Sequence, residues 1–286
     1  MKKDFTLVAY EKLLLSLVES DYSFQSFRDY INHPKEKVIL LRHDVDARPE
    51  HSLTFARLQH KMGIVGTYYF RMVPQSFDEG VIREIASMGH EIGYHYETMD
   101  AAGGDPKKAI ERFKKNLEKL RTLADVETIC MHGSPMSKYD NRDLWQHYDY
   151  RDYGITAEPY FDLDFSKVLY LTDTGRRWDG QEVSIRDKVP GSGHKVQGSK
   201  GRAQDASSQD SPNSRVFEKR AARLATHDYH STHDIINACK AGNLPDQIMF
   251  NFHPQRWTDN PLLWTQELIW QNIKNLVKRG VVKVSS

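Results

Sequence analysis

Residues 38–46 read VILLRHDVD, in which a continuous apolar run, Val38 to Leu41, is the first candidate strand and is followed by a polar end with two aspartates. A run without polar alternation is typical of a parallel strand that is covered on both faces. Six further candidate strands follow at 66–70, 91–95, 128–131, 154–158, 168–172 and 248–252. Between several of them, apolar residues recur at helical spacing, which indicates repeated βα units. The sequence therefore predicts a parallel α/β barrel.

The chain's length, 286 residues, is compatible with one large domain. We expect residues 1–33 to form a helical extension packed on the barrel and residues 34–286 to form the barrel domain. One stretch, 190–215, is dense in Gly, Ser, Lys, Gln and Asp and has almost nothing apolar to bury. This composition predicts a flexible loop.

The charge balance argues against two classes of partner. The 40 basic residues nearly cancel the 39 acidic ones, so we expect neither a nucleic acid nor an anionic membrane surface as partner. No run of about 18 apolar residues occurs, so no membrane span is predicted.

Cys130 and Cys239 are expected to be free thiols, and the charged N-terminal stretch lacks the core of a signal peptide. We therefore expect a cytoplasmic protein.

Ionisable side chains follow the ends of five candidate strands. In a parallel barrel these ends face one mouth, where catalytic groups collect. The residues are Asp44, Asp46, His95, His132, Asp173 and His253.

Asp44 and Asp46 lie two residues apart on an extended segment, so both carboxylates project from the same face. If one of them binds a divalent metal, its neighbour is free to act as a base toward water on that metal. The alternative is that the aspartates only cap the next helix, although Arg48 and Pro49 leave no obvious helix start at Asp46. A lone His95 would be an ordinary hydrogen-bonded residue, but beside two carboxylates it predicts a catalytic metal site.

The motifs around these residues resemble those of polysaccharide deacetylases of the NodB-homology type, carbohydrate esterase family 4. LRHDVD at 41–46 resembles the first motif, GHEIGYH at 89–95 the second and NFHP at 251–254 the fifth. LTD at 171–173, with Trp178, stands in the place of the fourth. The resemblance extends from residue 38 to residue 257 and implies a distorted parallel (β/α)7 barrel of that type.

The resemblance also implies roles for these residues. Asp44 would be the general base, and Asp46 and His95 would be ligands of a divalent metal, with zinc as the expected ion. His253 would be the general acid, Asp173 would support it, and Trp178 would line the acyl pocket.

The chain departs from the family at two motifs. Met99 stands where a second metal-binding histidine is expected, and the third motif is replaced by MHGSP at 131–135. We infer that His132 restores the missing imidazole, which gives Asp46, His95 and His132 as ligands. Glu97 is the competing substitute, and the absence of any replacement is the third possibility.

Two clusters after the strands are candidate substrate contacts. Arg176 and Trp178 could bind a sugar by charge and stacking, or could form a packed loop on the barrel rim. Arg256 is a further candidate, while the neighbouring Trp257 is at least as consistent with simple packing.

These residues favour a metal-dependent carbohydrate N-deacetylase. Such an enzyme is a hydrolase that removes an N-acyl group, and an N-acetyl group is the expected one. Its expected substrate is a sugar nucleotide, lipid-linked sugar or oligosaccharide of surface-polysaccharide biosynthesis. The rival hypothesis is a non-catalytic protein of the same fold that binds a glycan or a protein partner. Retention of Asp44, Asp46, His95 and His253 together favours the enzyme.

Overall fold

The computed structural model describes residues 3–133, 137–178 and 229–284. Its helices and strands alternate along most of the chain. Their order is α1 Leu7–Glu19, β1 Ser23–Gln25, α2 Phe27–Asn32, β2 Val38–Val45, α3 Pro49–Lys61, β3 Thr67–Phe70, α4 Glu79–Ser87, β4 Glu91–Tyr96, α5 Thr98–Ala101, α6 Pro106–Arg121, β5 Ile129–Met131, α7 Pro159–Asp162, β6 Leu169–Thr172, α8 Thr232–Lys240, β7 Gln247–Phe252 and α9 Pro261–Val284. Short 3₁₀ turns occupy Asn141–Gln146, Tyr150–Tyr153 and Pro254–Arg256.

The strands of the described residues form one parallel sheet in the order β5-β4-β3-β2-β7-β6. The short β1 pairs with the beginning of β2, where Ser23 lies opposite Val38, and β3 pairs with its end, where Val45 lies opposite Phe70. The sheet curls with helices around it, as predicted for a distorted α/β barrel. In the described part of the chain the barrel is incomplete, because β5 and β6 are the ends of this path.

The predicted strand at 154–158 does not form. The segment makes a single parallel bridge between Ala157 and Thr128, supported by a hydrogen bond of 3.1 Å from Ile129 N to Ala157 O. It is short because Gly154 turns the chain with a φ of 69° and Pro159 begins α7. The prediction of a strand here was therefore wrong, and the segment contributes only this single bridge next to β5.

The N-terminal stretch contains the two helices α1 and α2 and, between them, the strand β1. The buried face of α1 includes Tyr10, Leu13 and Leu17, which belong to the main hydrophobic core, and α1 packs against α8. Residues 1–33 therefore contribute a strand to the sheet as well as helices.

Gly93, in the middle of β4, permits a close approach inside the sheet. A Cβ at this position would overlap the ring of Tyr69 on β3 and lie 3.0 Å from the carbonyl oxygen of Thr128. The absence of a side chain therefore lets the Tyr69 ring approach the β4 main chain closely.

The predicted flexible loop, 190–215, lies outside the described residues. Within the described part of the chain, no helix combines the length and apolar character needed to cross a membrane.

Candidate active site

The carboxyl ends of β2, β4, β5, β6 and β7 bring polar side chains to one edge of the sheet. Three of them form a compact group in which one donor atom from each lies within 4.8 Å of the others: Asp46, His95 and His132. Asp46 Oδ1 lies 3.7 Å from His95 Nε2 and 3.5 Å from His132 Nε2. Donors bound to a tetrahedral zinc at about 2.0–2.2 Å are separated by about 3.4 Å. The three residues thus have the spacing of a ligand set.

Asp46 Oδ1 is a buried acceptor without a hydrogen-bond partner among the described residues. The other oxygen, Oδ2, accepts a hydrogen bond of 3.2 Å from Gln255 Nε2. A buried carboxylate oxygen with no donor is energetically costly unless a cation or water supplies one. This oxygen and the two imidazoles around it fit a divalent metal.

His95 has the protonation pattern that a ligand needs. Its Nδ1 lies 2.9 Å from the carbonyl oxygen of Cys130, so this nitrogen carries the proton and donates it. The lone pair is consequently on Nε2, the nitrogen that faces Asp46. Burial lowers the pKa of His95 to about 4, against the opposing effect of Asp44, so the ring is neutral at neutral pH.

A second group of potential donors shares His95 with Asp44 and Cys130, and all three are buried. Arg42 occupies both carboxylate oxygens of Asp44, with Nε 2.8 Å from Oδ1 and Nη2 2.7 Å from Oδ2. A metal at this position would have to share Asp44 with a buried guanidinium. The group containing Asp46 is therefore the better cation site.

Arg42 is the most informative site residue that the sequence analysis missed. Burial alone would raise the pKa of Asp44, but the Arg42 charge outweighs it and holds that pKa well below its usual range. Asn251 also donates to Asp44 Oδ2, at 3.1 Å. A signal was available, because Arg42 and Asp44 are two residues apart on one strand and hence share a face.

His253 and Asp173 form a buried pair on the other side of Asp46. His253 Nδ1 lies 2.6 Å from Asp173 Oδ1, which leaves Nε2 directed toward Asp46 Oδ2 at 3.9 Å. Asp173 also accepts hydrogen bonds from Arg256 Nη1 at 2.9 Å and Trp257 Nε1 at 2.6 Å. Burial opposes the ionised form of Asp173, but the nearby His253 and Arg256 charges lower its pKa. The carboxylate thus fixes the orientation of the imidazole.

The three predicted substrate contacts lie in packed surroundings. Trp178 is 3 % exposed, lies against Phe250 and Phe252, and donates to Thr232 Oγ1 at 3.0 Å. Arg176 is also buried, and its guanidinium stacks on the Trp264 ring at 4.6 Å.

The Arg256 guanidinium is bound to Asp173, as described above. For Arg176 and Trp178 these surroundings match the packed-loop alternative that the sequence left open. The role of all three residues toward a substrate stays a prediction.

Met99 lies on α5 with its side chain buried in the main core. Glu97, the other candidate replacement for the missing histidine, contacts His132 on the ring nitrogen remote from Asp46: His132 Nδ1 lies 3.0 Å from Glu97 Oε2. Glu97 belongs to no group of three potential His, Cys, Asp or Glu donors among the described residues.

No protein-family model and no curated protein sequence matches the chain. Two solved structures similar to it are carbohydrate esterases of family 4. One is PdaA of Bacillus subtilis, with 13% identity and a TM-score of 0.39 over 91% of this chain and 83% of that one. The other is an esterase of Streptococcus mutans, with 10% identity and a TM-score of 0.40 over 88% of this chain and 85% of that one.

Proposed function

We propose that this protein is a metal-dependent hydrolase that removes an N-acyl group, most simply N-acetyl, from a sugar or glycan precursor. One observation carries the proposal. The imidazoles of His95 and His132 lie near the unpaired, buried Oδ1 of Asp46, and the His253–Asp173 pair lies beside the other oxygen of Asp46. Metal ligands next to an oriented imidazole are the components of metal-assisted amide hydrolysis.

Asp46, His95 and His132 would hold the ion, and two nitrogens with one carboxylate oxygen suit zinc. A divalent ion bound there supplies a Lewis acid that polarises the scissile carbonyl and lowers the pKa of water. The neutral His95 ring, with its lone pair on Nε2, needs no deprotonation before it binds.

Asp44 and His253 would handle the protons. Asp44 is held ionised by Arg42, and its Oδ2 lies 3.8 Å from His95 Nε2, next to the proposed ligands. It would accept the proton of the attacking water. His253 keeps its Nδ1 proton on Asp173, so Nε2 is the atom that would deliver a proton to the leaving amine.

The proposed substrate is a sugar nucleotide, a lipid-linked sugar or an oligosaccharide from surface-polysaccharide biosynthesis in the cytoplasm. This part of the proposal is supported by the resemblance of the motifs at 41–46, 89–95 and 251–254 to those of polysaccharide deacetylases. Arg176, Trp178 and Arg256 remain its candidate substrate contacts.

Two measurements test the proposal. Zinc content and affinity are measured for the wild type, Asp46→Ala, His95→Ala and a control, His60→Ala, which removes an exposed histidine of α3. We expect one zinc in the wild type and the control and none in the two site variants, since each loses a ligand. Acetate release from N-acetylglucosamine oligomers and from a nucleotide-linked N-acetyl sugar should follow zinc occupancy. Full occupancy in both site variants would contradict the proposed site.

A further inference from the structure

Glu97 and Arg71 form an ion pair directly behind the proposed ligand His132. Arg71 Nη2 lies 2.7 Å from Glu97 Oε2, and Arg71 Nε lies 3.3 Å from Oε1. The same Glu97 oxygen lies 3.0 Å from His132 Nδ1. This last contact is short but is not aligned as a hydrogen bond, and His132 Nδ1 has no hydrogen-bond partner among the described residues. The side chains of Glu97 and Arg71 are largely buried, with 18% and 20% of their surface exposed.

The contacts close a ring of four residues that includes two of the proposed metal ligands, Asp46 and His132. Arg71 follows β3 and, besides holding Glu97, donates from Nη1 to the main-chain oxygen of Asp46 at 3.3 Å. Glu97 follows β4 and contacts His132, which follows β5 and whose Nε2 lies 3.5 Å from Asp46 Oδ1. Four neighbouring strand ends are therefore connected in sequence through Asp46, Arg71, Glu97 and His132.

The His132 main chain is fixed independently of its ring. Its amide donates to Tyr96 O at 2.8 Å, and its carbonyl accepts from Asn141 Nδ2 at 2.9 Å. The rotation of the imidazole and the choice of the protonated nitrogen are left to the side-chain contacts. Only the carboxylates of Glu97 and Asp46 lie against its two nitrogens among the described ion pairs.

A neutral imidazole can bind a metal only through the nitrogen without a proton. A carboxylate on the remote nitrogen selects that tautomer and increases the basicity of the ligand. Glu97 lies on this remote nitrogen, and its charge is already balanced by Arg71, so it is better placed to orient His132 than to bind the ion itself.

We propose that Glu97, held by Arg71, is a positioning residue that keeps the proton of His132 on Nδ1 and directs Nε2 toward Asp46 and His95. The inference rests on the proposed metal site and explains how a histidine from a different strand can serve there despite Met99.

The first test measures zinc affinity by competition with a chelating dye. Glu97→Ala should weaken binding by about 10–100-fold, the usual effect of losing such a partner. Glu97→Gln keeps an oxygen that can accept the Nδ1 proton, so it should retain more affinity than Glu97→Ala. The control is Glu84→Gln, which alters an exposed Arg–Glu pair in which Arg57 Nε lies 2.8 Å from Glu84 Oε1. Its affinity should equal that of the wild type.

The second test reads the tautomer itself. Nitrogen-15 NMR of the zinc-free protein at alkaline pH, where the ring is neutral, should show His132 protonated on Nδ1 in the wild type. In Glu97→Ala the Nε2-protonated form should increase, which a purely structural role for Glu97 would not produce. If Glu97→Ala does not fold, Glu97→Met, which keeps the length of the side chain without an oxygen acceptor, supplies both comparisons.

The outcomes separate the two proposals. Unchanged zinc affinity or an unchanged His132 tautomer in the variants without an acceptor, Glu97→Ala or Glu97→Met, with normal zinc binding by the wild type, overturns the positioning role and leaves the metal site intact. A wild type that binds no zinc overturns the proposed function, and the positioning role with it.

Discussion

Asp44 and Asp46 stand two residues apart, yet their carboxylates have different partners. Both oxygens of Asp44 are bound to the buried Arg42, whereas Asp46 Oδ1 has no donor. An ionised carboxylate beside a fixed positive charge needs no metal to stay ionised, while an unpaired buried oxygen does need a cation or a hydrogen-bond donor. The roles proposed for the two aspartates follow from this difference.

Asp44→Asn should therefore leave zinc binding intact and reduce deacetylation by about 10²–10⁴-fold, because an amide cannot accept the proton of water. Zinc stoichiometry and turnover are compared on the same preparation. Since Arg42 loses its buried partner, stability should fall by about 3–5 kcal/mol, and turnover is corrected for the folded fraction measured by circular dichroism. Loss of zinc from Asp44→Asn would instead mean that the roles of Asp44 and Asp46 are exchanged.

At the scale of single residues, the sequence predicted which side chains lie close together, Asp46, His95 and His132, but not their individual contacts. Asp46, His95 and His132 could be grouped because each lies at or just after the end of a parallel strand, and those ends meet. The pairing of Glu97 with His132 could not be read in the same way, since a residue after β4 can turn toward either neighbouring strand. Which oxygen of Asp46 stays unpaired depends on Gln255, more than 200 positions away in sequence.

Among the elements, six of the seven predicted strands form, and each is a short segment rich in aliphatic or aromatic side chains. β2 continues to Val45, beyond its apolar portion, because β3 pairs with its polar end. β1 was not predicted, since Ser23–Gln25 is only three residues long and has two polar side chains. The segment at 154–158 was predicted as a strand from composition, but a turn at Gly154 and a helix start at Pro159 limit its pairing.

The contact between β3 and β4 gives a prediction at this scale. Gly93→Ala should destabilise the protein by about 1–3 kcal/mol, because the new methyl group overlaps the Tyr69 ring within the packed sheet. Urea unfolding followed by fluorescence measures the change. The matched control is Gly80→Ala on the exposed side of α4, where the added Cβ would lie 3.4 Å from Asp78 Oδ1, an ordinary contact. The control should show no loss of stability, and an equal loss in both variants would contradict the close approach.

For the molecule as a whole, the proposed ligands come from separate parts of one sheet. Asp46, His95 and His132 follow or end β2, β4 and β5, and β3 lies between the first two of these strands. An ion bound by all three would connect the carboxyl ends of this half of the sheet. Unfolding would separate the ligands, so zinc should bind the folded chain in preference to the unfolded one.

Zinc should consequently raise the melting temperature of the entire protein. At a free concentration 100 times the dissociation constant, a ligand specific for the folded state adds about 2.7 kcal/mol, which corresponds to about 5 °C in a chain of this size. Differential scanning fluorimetry with and without zinc measures the shift, and a chelator should reverse it. Asp46→Ala should melt at the same temperature in both conditions, because the carboxylate shared by the two imidazoles is gone. An equal rise in the wild type and Asp46→Ala would place zinc elsewhere on the protein, and the absence of any rise would contradict a site that links these strands.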